Sequence, residues 1–237
     1  MDLSVRADLP ELMDAEDLDI SIYNRCLSDL AAVNRVTMTH SATLQFLSEA
    51  TKHLQPGSKI SILDVGCGHG DLLRAIAKWA VTRGFDAELT GLDMNPRSAQ
   101  AAAAATRPDQ NISYVTGNVF GFTPAYQPDF IVTSQFTHHL SDEDIISLLR
   151  WLDQTAQRGW HIADLHRHAI PYYGFRWLTR LFGWHRIVRL DGTISIARSF
   201  RRADWERYLA ATGIDARIAW HPLFRLCVGR MKSCRLS

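Results

Sequence analysis

The chain has 237 residues, 46% hydrophobic, 22% charged and 10% aromatic, with a formal net charge of +1. These values exclude a disordered or fibrous protein and allow one substantial domain carrying a cap or lid. The charge is unevenly placed: residues 166–237 hold 14 Lys/Arg against 4 Asp/Glu, a net of +10, which leaves −9 for residues 1–165. Such asymmetry fits a nucleic-acid or membrane contact, or two solvated faces that neutralise each other.

Residues 1–20 are acidic, lack the apolar run of a secretory signal, and are expected to be loosely ordered at their start. From about Ile22 to Leu54 the pattern is helical, with Leu27, Leu30 and Ala31 on one face and Leu44, Leu47 and Leu54 on another. "QPGSK" breaks it, and "ISILDV" reads as a buried strand. A helix is expected over Asp71–Thr82, a strand at "AELTGLD", and a helix at "PRSAQAAAAAT", opened by proline and filled with the strongest helix former. "ISYVTGN" and "DFIVTSQ" are strands, "SDEDIISLLRWLDQTA" is a helix with a Ser141–Asp144 capping box, and "GWHIADL" is the fifth strand. After an aromatic, basic stretch come a helix at about Ala203–Ala211 and two strands, "DARIAWH" and "FRLCVGRM", the second antiparallel. Alternating strands and helices argue for an α/β parallel sheet whose strand C-termini share one edge, where ligands bind. The expected organisation is a helical cap (1–55), the sheet core (56–165), a lid insertion (166–200), and a final segment completing the core (201–237).

"DVGCGHGD" carries the most chemistry. Glycines at a strand-to-helix turn permit positive φ and let a ligand approach the backbone. The spacing differs from the G-x-G-x-x-G dinucleotide fingerprint, and Asp71 at the helix start would repel a pyrophosphate. Acids around the turn, Asp64 and Asp71, suit a ligand bearing an ammonium group.

This pattern resembles the first motif of the class I S-adenosylmethionine-dependent methyltransferases, an acid, any residue, then G-x-G-x-G. The resemblance implies a Rossmann-like, seven-stranded, mostly parallel sheet with helices on both faces, and S-adenosylmethionine as cofactor. It implies that Asp64, Gly66, Cys67, Gly68 and Gly70 form the cofactor turn, that Asp93 of "LTGLDMN" binds the ribose hydroxyls, and that Met94 packs near the adenine. A carboxylate suits a cis-diol because it accepts from both hydroxyls. In "TGNVF" most relatives have Asp where this chain has Asn118, whose carbonyl still accepts from an adenine amino group, with the Val119 N–H near a ring nitrogen. Gln135 should flank the methionine part of the cofactor.

The fourth strand ends in "SQFTHHLSDED" and the fifth in "ADLHRH", which a parallel sheet can bring together. Methyl transfer chiefly needs the acceptor aligned, and a phenol, enol or carboxylic acid also needs a base. Histidine suits that role. His139 and His138 are the candidate catalytic residues, with His139 the favoured base and His138 turned toward the loop or helix start, because neighbours in an extended segment point to opposite sides. Asp164 could orient a histidine or bind substrate. Magnesium prefers oxygen ligands and this cluster is histidine-rich, so no metal is assigned.

Tyr172, Tyr173, Phe175, Trp177, Phe182 and Trp184 crowd one segment with Arg176, Arg180 and Arg186. It can form an apolar wall for an aromatic acceptor, a surface helix on anionic lipid, or a lid that only packs on the sheet. Tyr23, Asp164, His166, Tyr172, Tyr173 and Trp177 are the expected substrate contacts, with Asn34 helping to close the pocket. Looser matches, among them "ELMD", "HHLSDE" and "ADLHRH", are similar to bacterial methyltransferases of polyketide and phenolic-lipid biosynthesis. The expected activity is O-methylation of an aromatic or polyketide-like small molecule. The rivals are a cofactor-binding module without chemistry and a non-methylating cyclase of the same fold. No N-P-P-Y or D-P-P-Y tetrad follows the fourth strand, so nucleic acid is not the expected partner. The cysteines, Cys26, Cys67, Cys227 and Cys234, form no C-x-x-C pair, which fits a reducing cytoplasm.

Overall fold

The computed structural model describes residues 2–15 and 17–232; Cys234 lies outside them. Two helices open the chain, α1 (Ile20–Val36) and α2 (Ser41–Ala50). The alternation follows as β1 (Lys59–Val65), α3 (Asp71–Arg83), β2 (Asp86–Asp93), α4 (Pro96–Ala105), β3 (Ile112–Thr116), β4 (Phe130–Ser134), α5 (Asp142–Thr155) and β5 (Gly159–Leu165). Two further helices, α6 (Ala169–Leu181) and α7 (Arg186–Arg198), fill the aromatic segment, and α8 (Arg202–Thr212), β6 (Arg217–His221) and β7 (Arg225–Met231) complete the chain.

The seven strands form one sheet in the order β3-β2-β1-β4-β5-β7-β6. All pairings from β3 to β5 are parallel, and β7 runs antiparallel to both β5 and β6. The chain leaves β1 in one direction through β2 and β3, then returns to lay β4 on the other side of β1. That reversal opens a crevice beyond the strand C-termini, where open α/β sheets bind ligands.

Alternation along the strands feeds a core on each face. Leu63, Val65, Ile131, Trp160 and Ile162 pack with Ile145, Leu148, Leu149 and Leu152 of α5 and with Trp205 and Tyr208 of α8. Ile60, Ile62, Phe130 and Val132 point the other way, onto Leu47 of α2 and Leu72, Leu73 and Ile76 of α3. Each such buried side chain contributes about 1.5–3 kcal/mol relative to exposure. Local signals set the helix starts. Asn95 accepts from the Arg97 N–H with Pro96 in the first turn, and Ser141 Oγ accepts from the Asp144 N–H at 3.1 Å.

Two expectations about the N-terminal part change. First, residues 1–55 are not a single cap: α2 joins the sheet layer, where Ala42 meets Ala163 and Cys227, and Phe46 stacks on His161. Second, the first residues are strapped down rather than loose. The Ala7 N–H donates to the Ala197 carbonyl at 3.0 Å, and the Leu12 and Met13 N–H groups both donate to the buried Asp191 carboxylate at 2.9 Å. Arg167, 2% exposed, donates to the Leu3 and Ser4 carbonyls from below.

Candidate active site

A cavity of about 820 Å³ lies at the crevice. Its floor is the turn after β1. Gly66, Gly68 and Gly70 have φ of 70°, 50° and 71°, the left-handed region that glycine adopts without strain. A Cβ at Gly68 would meet nothing within 4 Å, so this residue leaves open space toward the cavity, whereas one at Gly70 would overlap the Tyr114 hydroxyl. The turn is tied to β2: the Gly66 N–H donates to the Leu92 carbonyl and the Gly68 N–H to Asp93 Oδ2, both at 2.8 Å. Asp93 Oδ1 accepts from the Asn95 N–H at 2.9 Å. Burial raises the Asp93 carboxyl, and these two backbone donors offset only part of the rise.

Gly66, Gly68, Asp93, Met94, Asn118, Val119 and Gln135 all line the cavity. Gln135 holds φ +54°, an uncommon conformation for a residue with a side chain, with its N–H on the Ala163 carbonyl at 2.9 Å. Asn118 Oδ1 accepts from the Phe120 N–H, which leaves the carbonyl a second lone pair. Three expected cofactor residues do not line the cavity. Cys67 turns its thiol into the core, where burial pushes it up, and Gly70 sits beneath Tyr114. Asp64 is 1% exposed; burial, with the Asp71 and Asp93 carboxylates nearby, raises it well above its ordinary value. Asp71 is likewise turned away, accepting from Asn34 Nδ2 and paired with His40 Nε2, each at 2.9 Å. Asn34 therefore fastens α1 to α3 rather than reaching the cavity.

The opposite wall comes from the strap and α1. Tyr23 lines it, with its hydroxyl 2.6 Å from Ser98 Oγ and accepting from Asn95 Nδ2. The histidines lie on a 3-10 turn, Thr137–His139, not on an extended segment, and their rings are 4.4 Å apart. His139 lines the cavity; His138 is 3% exposed behind it. His138 Nδ1 is 2.8 Å from Asp164 Oδ1, and the other Asp164 oxygen accepts from the Thr137 hydroxyl and the His138 N–H. Asp164 thus orients a histidine and, wholly buried, does not line the substrate space.

Two carboxylates on the strap complete the cluster. Glu11 Oε1 is 3.6 Å from His138 Nε2 and Oε2 is 3.9 Å from His139 Nε2, while Asp14 Oδ2 is 3.4 Å from His139 Nδ1. Burial disfavours charge on all the inner groups, but their mutual attraction prevails: it holds Glu11 and Asp164 at about 2 and lifts His138 to about 9. His138 is therefore an imidazolium between two carboxylates and cannot accept a proton near neutrality. Glu11, His138 and His139 also turn ligand atoms to within 4.8 Å of one another, a spacing that could hold a cation. The proton on His138 already offsets one of the two carboxylate charges there. Arg198 fixes the backbone of the pair, donating to the carbonyls of His138 and His139 at 3.1 Å and of Leu9 at 2.9 Å.

Glu11, Asp14 and Arg198 are not among the expected site residues: Glu11 and Asp14 belong to the "ELMD" match, but nothing local shows that this segment meets histidines more than a hundred residues away, or that Arg198 of α7 reaches them. Conversely, His166, Tyr172, Tyr173 and Trp177 are not brought to the cavity. Tyr172 packs inward on Leu165, Ile196 and Ala197, while Tyr173 and Trp177 occupy the outer face of α6. The segment reaches the cavity through Arg198 of α7 instead.

Residues 62–159 match the family described as methyltransferase domain. Over these residues the chain carries a methyltransferase domain, and its fold is that of solved S-adenosylmethionine-dependent methyltransferases. The match runs from β1 to the start of β5, so the methyltransferase domain's cofactor side is covered, while the strap, α1 and α6–α7 fall outside it. The plantazolicin methyltransferase BpumL, solved with a desmethylplantazolicin analogue and SAH, superposes with a TM-score of 0.68 at 16% identity over 89% of this chain and 91% of that one. A SAM dependent methyltransferase from Aquifex aeolicus gives 0.59 at 17% identity, covering 90% of this chain and 98% of that one. Cephaeline 6'-O-methyltransferase IpeOMT1 of Carapichea ipecacuanha is 32% identical over 99 residues, 42% of this chain and 25% of that enzyme. The chain thus spans about a quarter of the length of that curated relative.

Proposed function

We propose that the protein transfers the methyl group of S-adenosylmethionine to a hydroxyl oxygen of an aromatic or polyketide-like small molecule, in the cytoplasm. The observation that carries this reading is that His139 opens on the same cavity as Gly66, Gly68, Asp93 and Gln135. The residues present fit the cofactor: an open glycine turn, a carboxylate for the ribose, and Met94, Asn118 and Val119 where the base would lie. Bound there, the cofactor supplies a methyl group already activated by its sulfonium. Apolar side chains, Met13, Leu30, Phe136 and Leu140, wall the acceptor side and suit an aromatic ring. His139 Nε2, which at 3.9 Å is not hydrogen-bonded to Glu11, takes the hydroxyl proton, while Asp14, 3.4 Å from Nδ1, holds the ring and both carboxylates stabilise the imidazolium that forms. The similarity to an O-methyltransferase supports oxygen as the acceptor atom. No helix of the described residues is long and apolar enough to cross a membrane.

The test is incubation with methyl-labelled cofactor and a panel of phenols, enols and carboxylic acids. S-adenosylhomocysteine and a labelled ether or ester are expected. Cofactor binding without turnover would replace this reading with a binding module, and a product of altered skeleton and unchanged mass with a cyclase.

Asp93→Ala is expected to weaken S-adenosylhomocysteine binding by about 1–3 kcal/mol, the range for hydrogen bonds to a charged group. The substitution also frees the Gly68 and Asn95 N–H groups that Asp93 holds. Wild-type affinity by titration calorimetry would rule out the ribose contact.

A further inference from the structure

We infer that α6 docks the protein on the surface of an anionic phospholipid bilayer. The helix is apolar on two faces. Its inner stripe, Tyr172, Phe175 and Thr179, is accounted for by packing: Tyr172 clusters with Leu165, Ile196 and Ala197, and Phe175 packs against that cluster and against Cys26, Val33 and Val188. Its outer stripe repeats at helical spacing and has no such cover among the described residues. Ile170 is 62% exposed, Tyr173 57%, Trp177 72% and Leu181 80%, and Phe182 continues the stripe past the helix end. A contiguous apolar patch of this kind marks an interaction surface.

Charge selects the occupant. Arg176 and Arg180 flank the stripe on exposed positions, Arg186 follows on the next helix, and the Arg180 guanidinium lies 5.7 Å from the centre of the Trp177 ring. Residues 165–190 contain no Asp or Glu; the next acid, Asp191, is buried against the strap. A second copy of the chain would meet this face about a two-fold axis and set arginine against arginine with no acid on the helix to pair them. A nucleic acid would engage the arginines but leave Ile170, Leu181 and Phe182 in water. A lipid surface satisfies both: aliphatic and aromatic side chains enter the acyl boundary, with Trp and Tyr at the depth they favour, and arginines reach the phosphates. At 13 residues α6 is too short to span a bilayer, so it lies in the plane of the interface.

The test is co-sedimentation of the full chain with vesicles of phosphatidylcholine alone or mixed equally with phosphatidylglycerol. Partitioning onto the anionic vesicles is expected to exceed that onto the neutral ones about tenfold or more, and to weaken as salt is raised. Trp177→Asp with Leu181→Asp should reduce it by a further factor of about ten, with thermal melting and S-adenosylhomocysteine binding kept. Should that variant fail to fold, Arg176→Gln with Arg180→Gln, at exposed positions, should lower anionic binding about fivefold per charge removed. Equal binding to both vesicle types, or full binding by a folded variant, overturns the inference. So does a wild-type dimer in light scattering that Trp177→Asp dissociates, which would assign the face to a second copy. None of these outcomes depends on the methyl acceptor.

Discussion

His139→Ala is expected to lower turnover of a hydroxyl acceptor about 10²–10⁴-fold, with S-adenosylhomocysteine affinity unchanged. The expectation rests on position. His139 lines the cavity together with the glycine turn and Asp93, yet it touches that turn through neither of its ring nitrogens, which face Asp14 and Glu11. His138 cannot substitute, because it already holds a proton between Asp164 and Glu11. The loss should fall on kcat, since the imidazole acts as the proton leaves rather than in binding. His139→Gln separates chemistry from shape. It keeps a polar side chain of similar reach but accepts no proton, so it should be nearly as slow as the alanine variant. A glutamine variant with close to wild-type kcat would retire His139 as the base and leave it a positioning role.

The second large effect concerns stability. Asp164→Asn removes one carboxylate from a wholly buried pair and leaves the His138 imidazolium with only Glu11, 3.6 Å away. Breaking such a pair from one side costs about 3–5 kcal/mol, because a desolvated charge loses its partner. For a chain of this size about 3 kcal/mol corresponds to a fall in Tm of roughly 6–12 °C. The same pair predicts a pH dependence. Folded His138 keeps its proton to about 9, against 6.5 ordinarily, so its contribution is complete below about 6.5 and is lost as pH rises through 9. Asp164, held at about 2 against 3.8, contributes fully above 3.8 and loses that contribution as pH falls toward 2. Wild-type Tm should therefore decline between about pH 6.5 and 9, and His138→Gln should flatten that decline. An identical slope in the variant, or an Asp164→Asn protein as stable as wild type, would show that the pair adds nothing to the fold.

The docking helix shows how near a correct pattern can lie to a wrong assignment. The aromatic crowding from Tyr172 to Trp184 is plain in the sequence, and helical spacing separates Tyr172, Phe175 and Thr179 from Ile170, Tyr173, Trp177 and Leu181. Periodicity tells which residues share a face; it does not tell which face meets the protein. Both stripes of α6 are apolar, so only its packing on the strap and α7 assigned Tyr172 inward and Trp177 outward. The histidine pair shows the same limit: alternation along an extended segment would have parted the two rings, but a 3-10 turn brings them together.

What the residues determined alone was what is encoded within a few positions: the strands, the helices between them and α8, the glycine turn with its positive φ, Asp93 at a strand end, and hence the sheet and its ligand edge. These are local because backbone conformation and hydrophobic period act over one or two turns of chain. Tertiary structure alone decided that Glu11 and Asp14 reach His139, that Asp164 and Glu11 share the His138 proton, and that Asp64 and Asp71 face away from the cavity. Those pairings join segments distant in sequence, and they are selected by burial and charge, which exist only once the chain has folded.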